Sequence, residues 1–281
     1  MNFHTKPTTF VSHVKIKVQN LQKSIQFYKE IIGFDILEET STTAKFTTDG
    51  KTSILSIEQP ENAMPKQGRT AGLYHFAILL PTKKDLANIV VHLAESGIRL
   101  GSSDHLVSEA LYLNDPDGNG IEIYIDRDPS EWTWRQDEVV MTVDPLNFER
   151  LLEHRGEAWN GLPKETLMGH VHLHVSELKD TEKFYVDGLG MDVVSRYSGQ
   201  ALFLSSNKYH HHIAVNVWNG IGAPQPPANS VGLQSYTLVY ADEKALSEVV
   251  SNLNKIGATV TEENGKYITH DPAGNRIELT I

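Results

Sequence analysis

The chain repeats itself, and the repeat restricts its fold more than any other feature. Val14-Lys-Ile-Lys-Val18, followed by LQKSIQFYKEIIGFDIL at 21–37, returns as Val171-His-Leu-His-Val175, followed by LKDTEKFYVDGLGMDVV at 178–194. The offset is constant at 157 residues, so these are two copies of one unit. Each copy reads as strand, helix, strand. Leu21, Ile25, Tyr28 and Ile32 share one helical stripe, and Gly33 is placed to end that helix in a left-handed turn. Short alternating runs follow at 43–47 and 52–57, and again at 201–205 and 211–218.

A second kind of segment also occurs twice. GLYHFAILL at 72–80, a helical pattern at 86–100 and DPDGNGIEIYI at 115–125 are matched by GLQSYTLVY at 232–240, a helical pattern at 246–260 and DPAGNRIELTI at 271–281. All four segments share the order strand, helix, three strands. One helix cannot cover the sheet of such a βαβββ unit, so two units must pair before a core closes. The expected fold is α+β: four modules, at 10–60, 71–127, 168–219 and 232–281, paired into two curved-sheet cups with helices outside. Residues 128–167, with Trp132, Trp134 and a short helical pattern near 148–154, read as a connector.

Composition narrows the function. No stretch approaches the roughly 18 apolar residues of a membrane span, which predicts a soluble, cytoplasmic protein with no membrane partner. The formal net charge of -11, with Lys and Arg scattered, argues against nucleic acid and for a small-molecule ligand. The absence of Cys excludes thiolate metal sites and Cys nucleophiles. A homo-oligomer is compatible with the sequence and not dictated by it.

Thirteen His stand out, several in strand-like segments. Strand alternation puts His170, His172 and His174 on one face and Val171, Leu173 and Val175 on the other. The apolar face should meet the helix, which turns the His face into the cup. His75 opens the matching strand of the second unit. Glu122 sits in the apolar strand IEIYI, after a turn rich in Asp, Asn, Gly and Pro. A buried carboxylate there needs a cation, a metal or a hydrogen-bond network. Two imidazoles and one carboxylate converging on a cup is the facial triad that holds non-haem Fe(II) with open positions. A lone strand His is also often just a hydrogen-bonded partner, and the run at 210–212 also reads as an exposed polar turn.

The βαβββ units, FVSHVKIKV, GLYHFAILL, GHVHLHV, SEALYLNDPDGNGIEIY and YHHHIAVNVW together resemble the vicinal oxygen chelate superfamily, which includes glyoxalases, bleomycin-resistance proteins and extradiol dioxygenases. They are similar to its two-domain catechol 2,3-dioxygenase-like members, and the most specific match is Tyr112, Asp115, Pro116, Asp117, Gly118 and Glu122. The resemblance implies metal ligands His75 and Glu122, with His170 as the third if the second and third units pair. His13 takes that place if the first and second pair. Crossed pairing is preferred because it alone assembles the full family complement, and because Lys15 and Lys17 share the face of His13. The implied catalytic residues are His105, Tyr112 and either His211 or His212. The implied cofactor is Fe(II), with Mn(II) as the alternative, and the implied substrates are a small aromatic diol and O2, in aromatic-hydrocarbon catabolism. In the fourth unit Ser235 replaces His75 and Ile268 replaces Tyr112, which predicts a degenerate, metal-free cup from the first and fourth units. A glyoxalase-type isomerase or transferase needs a second carboxylate, for which Glu58 is the only last-strand acid of the first unit. A metal-free drug-binding cup is the non-enzymatic alternative.

Overall fold

A computed structural model describes residues 2–281. The first unit contains β1 (Phe10–Lys17), α1 (Leu21–Gln26), β2 (Asp35–Glu39), β3 (Thr43–Thr47) and β4 (Ser53–Glu58). The second contains β5 (Gly72–Leu79), α2 (Lys83–Glu95), β6 (Gly101–Asp104), β7 (Ser108–Asn114) and β8 (Gly120–Asp126). Residues between the halves form a small hairpin, β9 (Trp134–Arg135) with β10 (Glu138–Val139), and a short helix α3 (Phe148–Leu152). The third unit contains β11 (Leu167–His174), α4 (Lys179–Lys183), β12 (Asp192–Tyr197), β13 (Ala201–Ser205) and β14 (Ile213–Asn216). The fourth contains β15 (Gly232–Val239), α5 (Glu243–Lys255), β16 (Thr261–Glu263), β17 (Lys266–His270) and β18 (Arg276–Thr280).

Helix boundaries follow local chemistry. The side chains of Asn20, Thr82 and Asp242 each accept a backbone N–H three residues on, capping α1, α2 and α5. After α1 the backbone widens into a π turn over Phe27–Ile32 and stops at Gly33, whose φ is +96°. All four stripe residues, Leu21, Ile25, Tyr28 and Ile32, are buried. A Cβ at Gly33 would meet the Gly161 backbone at 2.9 Å, because the connector crosses there.

The sheets pair the units crosswise. One eight-stranded sheet runs β12-β13-β14-β11-β5-β8-β7-β6 and joins the third unit to the second; the other runs β16-β17-β18-β15-β1-β4-β3-β2 and joins the fourth to the first. The central contacts are antiparallel, β11 on β5 and β1 on β15. Sequential pairing, which would have put His13 beside Glu122, does not occur.

Alternation divides the faces. Phe76, Ile78, Ile121, Ile123, Val171 and Leu173 enter one continuous apolar cluster that also holds the buried residues of α2 and α5. Burying each such side chain stabilises the fold by roughly 1.5–3 kcal/mol. The opposite face carries the polar residues. Two hydrogen-bonded latches bridge consecutive units: Tyr28 donates to Asp115 at 2.9 Å, and Tyr185 to Asp271 at 3.1 Å. Each Asp also organises its own turn by accepting backbone N–H groups from residues two and four positions on.

Candidate metal centre

Two bulges interrupt the alternation of the central β5–β11 pair. One leaves Gly169 without a partner and the other leaves Tyr74 unpaired, so Tyr74 and His75 both reach the polar face. Glycine is required at the first bulge, since a Cβ at Gly169 would lie 2.0 Å from the Tyr124 hydroxyl. At Gly120, which pairs with His75, a Cβ would lie 2.1 Å from the Tyr74 carbonyl oxygen.

The structure brings His75, Glu122 and His170 together, one donor atom from each within 4.8 Å of the others, and all three are buried. His170 donates from Nε2 to Glu122 Oε2 at 3.1 Å. His75 Nε2 lies 3.0 Å from the same oxygen but out of line for a hydrogen bond, and among the described residues it has no other partner. Two imidazole nitrogens and a carboxylate oxygen thus face one point, with one nitrogen unsatisfied by protein. This donor set fits a divalent transition metal. His13 lies in the other sheet, bonded to Ser56 Oγ at 2.8 Å.

The electrostatics suit a cation. Burial alone would raise the Glu122 pKa, but His170 and His75 outweigh it and hold the carboxyl well below its usual range. Burial lowers the His170 pKa to about 4, against the pull of Glu122. His172 and His211 are also pushed well down, first by burial and then by neighbouring imidazoles. The neighbouring imidazoles thus favour the ionised form of Glu122, and burial favours the neutral forms of His170, His172 and His211, the forms that ligate metals.

Tyr112 is the cross-strand neighbour of Glu122. His105 Nδ1–H donates to the Thr142 carbonyl at 2.6 Å, so Nε2 of the neutral ring accepts the Tyr112 hydroxyl at 2.7 Å. Burial, and then Glu122, push the Tyr112 pKa well above 10. The His211 ring packs 4.1 Å from His170, centroid to centroid. His212 points elsewhere: its Nε2–H donates to the Phe3 carbonyl, and its ring packs on His4 and Tyr209. His212 is thus not brought to the cup, because the chain bends at His210 and His212 before β14 begins. Nor is the run an exposed turn, since His210 and His212 are fully enclosed and His211 is 8% exposed.

Several cup residues escape sequence reasoning. Tyr74, Tyr124, Phe203 and Trp218 wall the imidazoles, with ring centroids about 5 Å from His75, His170, His211 and His172 respectively. Tyr124 shares the face of Glu122 by alternation, whereas Thr142 arrives from the connector and Phe3 and His4 from the opening residues. Neither of the last two segments carries a local signal. His4 donates to the Gly169 carbonyl at 2.9 Å, and Phe3 stacks on Trp132.

Comparison with known proteins agrees with this geometry. A family model for the Glyoxalase/Bleomycin resistance protein/Dioxygenase superfamily matches residues 11–123 and 167–279. A catechol-2,3-dioxygenase of Bacillus subtilis (strain 168) is 44% identical over 269 residues, covering 94% of each chain. Among solved structures, a Bacillus subtilis protein described as a dioxygenase superposes with TM-score 0.67 at 15% identity, covering 98% of this chain and 86% of that one. Glyoxalase I from Zea mays gives TM-score 0.58 at 16% identity, covering 96% and 92%. Those two likenesses show the shared fold. The protein belongs to the glyoxalase/bleomycin resistance/dioxygenase superfamily, as an extradiol dioxygenase-like enzyme.

Proposed function

We propose that the protein is an Fe(II)-dependent extradiol dioxygenase that cleaves a catechol-like aromatic diol with O2, its ion held by His75, Glu122 and His170. The observation that carries this reading is the convergence of those three donors in an aromatic-walled cup, beside the Tyr112–His105 pair and His211. A relative named for catechol cleavage, 44% identical along nearly the whole chain, supports the substrate class. A divalent iron supplies Lewis acidity towards both diol oxygens and open positions at which diol and O2 meet.

The chain's own residues do the rest. Ala77 and Ala110, small and fully buried, pack with Tyr124 and Tyr112 beside the donors. Tyr112 donates a hydrogen bond to His105, which leaves its oxygen lone pairs to accept from a substrate hydroxyl. Its raised pKa keeps it a phenol, able to donate again once the hydroxyl has lost its proton. His211, against His170, is the group placed to take and return a proton during ring opening. Among the described residues the metal cluster holds one carboxylate, which disfavours the four-ligand isomerase reading.

Anaerobic reconstitution with Fe(II), then addition of catechol and O2, is expected to give the yellow ring-opened product, with weaker or no activity on Mn(II). Failure with several catechols, together with no metal by elemental analysis, would sink this reading.

A further inference from the structure

Behind the cup runs a chain of hydrogen bonds that the proposed chemistry does not use. It ends at Asp126, the last residue of β8, four positions beyond Glu122. Asp126 Oδ1 accepts from His210 Nε2 at 2.7 Å and from the Tyr209 hydroxyl at 3.1 Å. An ionised carboxylate has no proton to give, so both neighbours must donate to it. Tyr209 has then spent its proton, and the 2.8 Å contact between Tyr124 and Tyr209 is a donation from Tyr124.

The same logic applies to the histidines. A His210 ring that carries a single proton, on Nε2 against Asp126, has a bare Nδ1. That atom lies 2.9 Å from Nδ1 of His211, so the proton between them belongs to His211. Among the described residues no group bonds the other nitrogen of His211, Nε2, and it is not among the enclosed, unpartnered atoms. His210 cannot easily turn away, because it is fully buried, with its ring 4.1 Å from Tyr209 and 5.2 Å from Trp132.

We propose that Asp126, acting through His210, holds His211 as the tautomer protonated on Nδ1, leaving Nε2 free as the acceptor. This rests on His211 being the proton-handling group of the cup. Asp126 and His210 offer no donor to the metal cluster, although the His210 ring lies edge-on to His170 at 6.4 Å, and they are positioning residues. They act as the second carboxylate–histidine couple acts on metal-bound imidazoles, by fixing which nitrogen carries the proton. The carboxylate orients the whole set, with every proton from Tyr124, Tyr209, His210 and His211 pointing towards it.

The test pairs a spectrum with kinetics on the full chain. Imidazole 15N shifts of Zn(II)-loaded protein are expected to show His211 protonated on Nδ1. His210→Phe keeps the aromatic packing and removes the acceptor; it should move His211 to the Nε2–H form or a mixture. With Fe(II) it should lower kcat about 10- to 100-fold, the scale of positioned acid–base catalysis, with KM and iron content within about twofold of wild type. Asp126→Asn, nearly isosteric, should shift both readouts the same way by a smaller factor, and it serves if His210→Phe does not fold. Wild-type His211 protonated on Nε2 overturns the proposal. So does an unchanged tautomer in the variants, even if kcat falls, since that is a packing effect. If wild type opens no ring, the dioxygenase reading fails while the spectrum still decides the tautomer.

Discussion

In the cup of the second and third units, Glu122 faces His75 and His170; in the cup of the first and fourth, the matching Glu278 faces Ser235 and Lys266. Ser235 donates to Glu278 Oε1 at 2.9 Å, and the Lys266 ammonium to Oε2 at 2.7 Å. His13, the repeat equivalent of His170, bonds Ser56 instead. Both sheets place a carboxylate at the same position, and the two differ in what compensates its charge. In one cup the polar atoms satisfy one another through a tethered ammonium. In the other a nitrogen is left aimed at a shared point, and compensation by protein is incomplete. The departures at Ser235 and Ile268 are visible in the sequence, but Lys266, which stands in for a cation, is not marked by the repeat.

The largest way to break the comparison is at the ligands. His170→Ala should abolish iron binding, a loss beyond the roughly 10- to 100-fold that outer-sphere changes cost. His13→Ala should leave the iron content of the reconstituted protein unchanged. Loss of iron in the His13 variant alone would reverse the assignment of the two cups.

Backbone approach comes next. Arg276 occupies the position in β18 that Gly120 occupies in β8, so one cup tolerates a side chain where the other cannot. Gly120→Ala should destabilise the fold by about 1–3 kcal/mol in urea titrations and lower metal affinity by displacing Tyr74 and His75. Arg276→Ala gives up an exposed ion pair with Glu263 and should shift the urea midpoint far less than Gly120→Ala.

A smaller effect is expected at Lys266. Burial raises the Glu278 pKa, but Lys266 and then Ser235 overcome this and lower it below 4.5. A depressed carboxylate stabilises the fold above its unfolded pKa, and that stability is lost as pH falls through the folded value. Lys266→Met should therefore cost about 1 kcal/mol at pH 7, and less as the pH drops below 4.5, in denaturant titrations across pH.

At pH 7 the smallest signal is His13, whose effect emerges only on acidification. Burial lowers its pKa from 6.5 to about 4, with Glu278 opposing and Lys266 and Lys15 assisting. Below pH 6.5 the unfolded chain binds a proton that the folded chain refuses, so stability falls between pH 6.5 and about 4. His13→Gln should flatten that slope by up to one proton per molecule. An unchanged slope would show that His13 is free to charge in place.

Much of this difference is legible in the sequence because the repeat is arithmetic. An offset of 157 relates His13 to His170, and strand alternation then sorts imidazoles from aliphatics. The bulges at Gly169 and Tyr74 are not legible, since alternation assumes an unbroken ladder. His211 and His212 could not be separated because the run precedes β14, where strand phase is undefined. Thr142, Phe3 and His4 reach the cup by long-range packing that no local pattern encodes.

The crosswise pairing also orders the making of the molecule. Leu79 pairs with Leu167 near the middle of the chain, whereas Phe10 pairs with Val239 across nearly all of it, so the two sheets close like brackets, one inside the other. On a ribosome the inner sheet can complete its ladder once Asn216 has emerged, but β1, made first, must keep an unpaired edge until β15 arrives. The sheet with the candidate metal donors can thus mature early, and the cup sealed by its own lysine carries the kinetic burden of closing the longest loop.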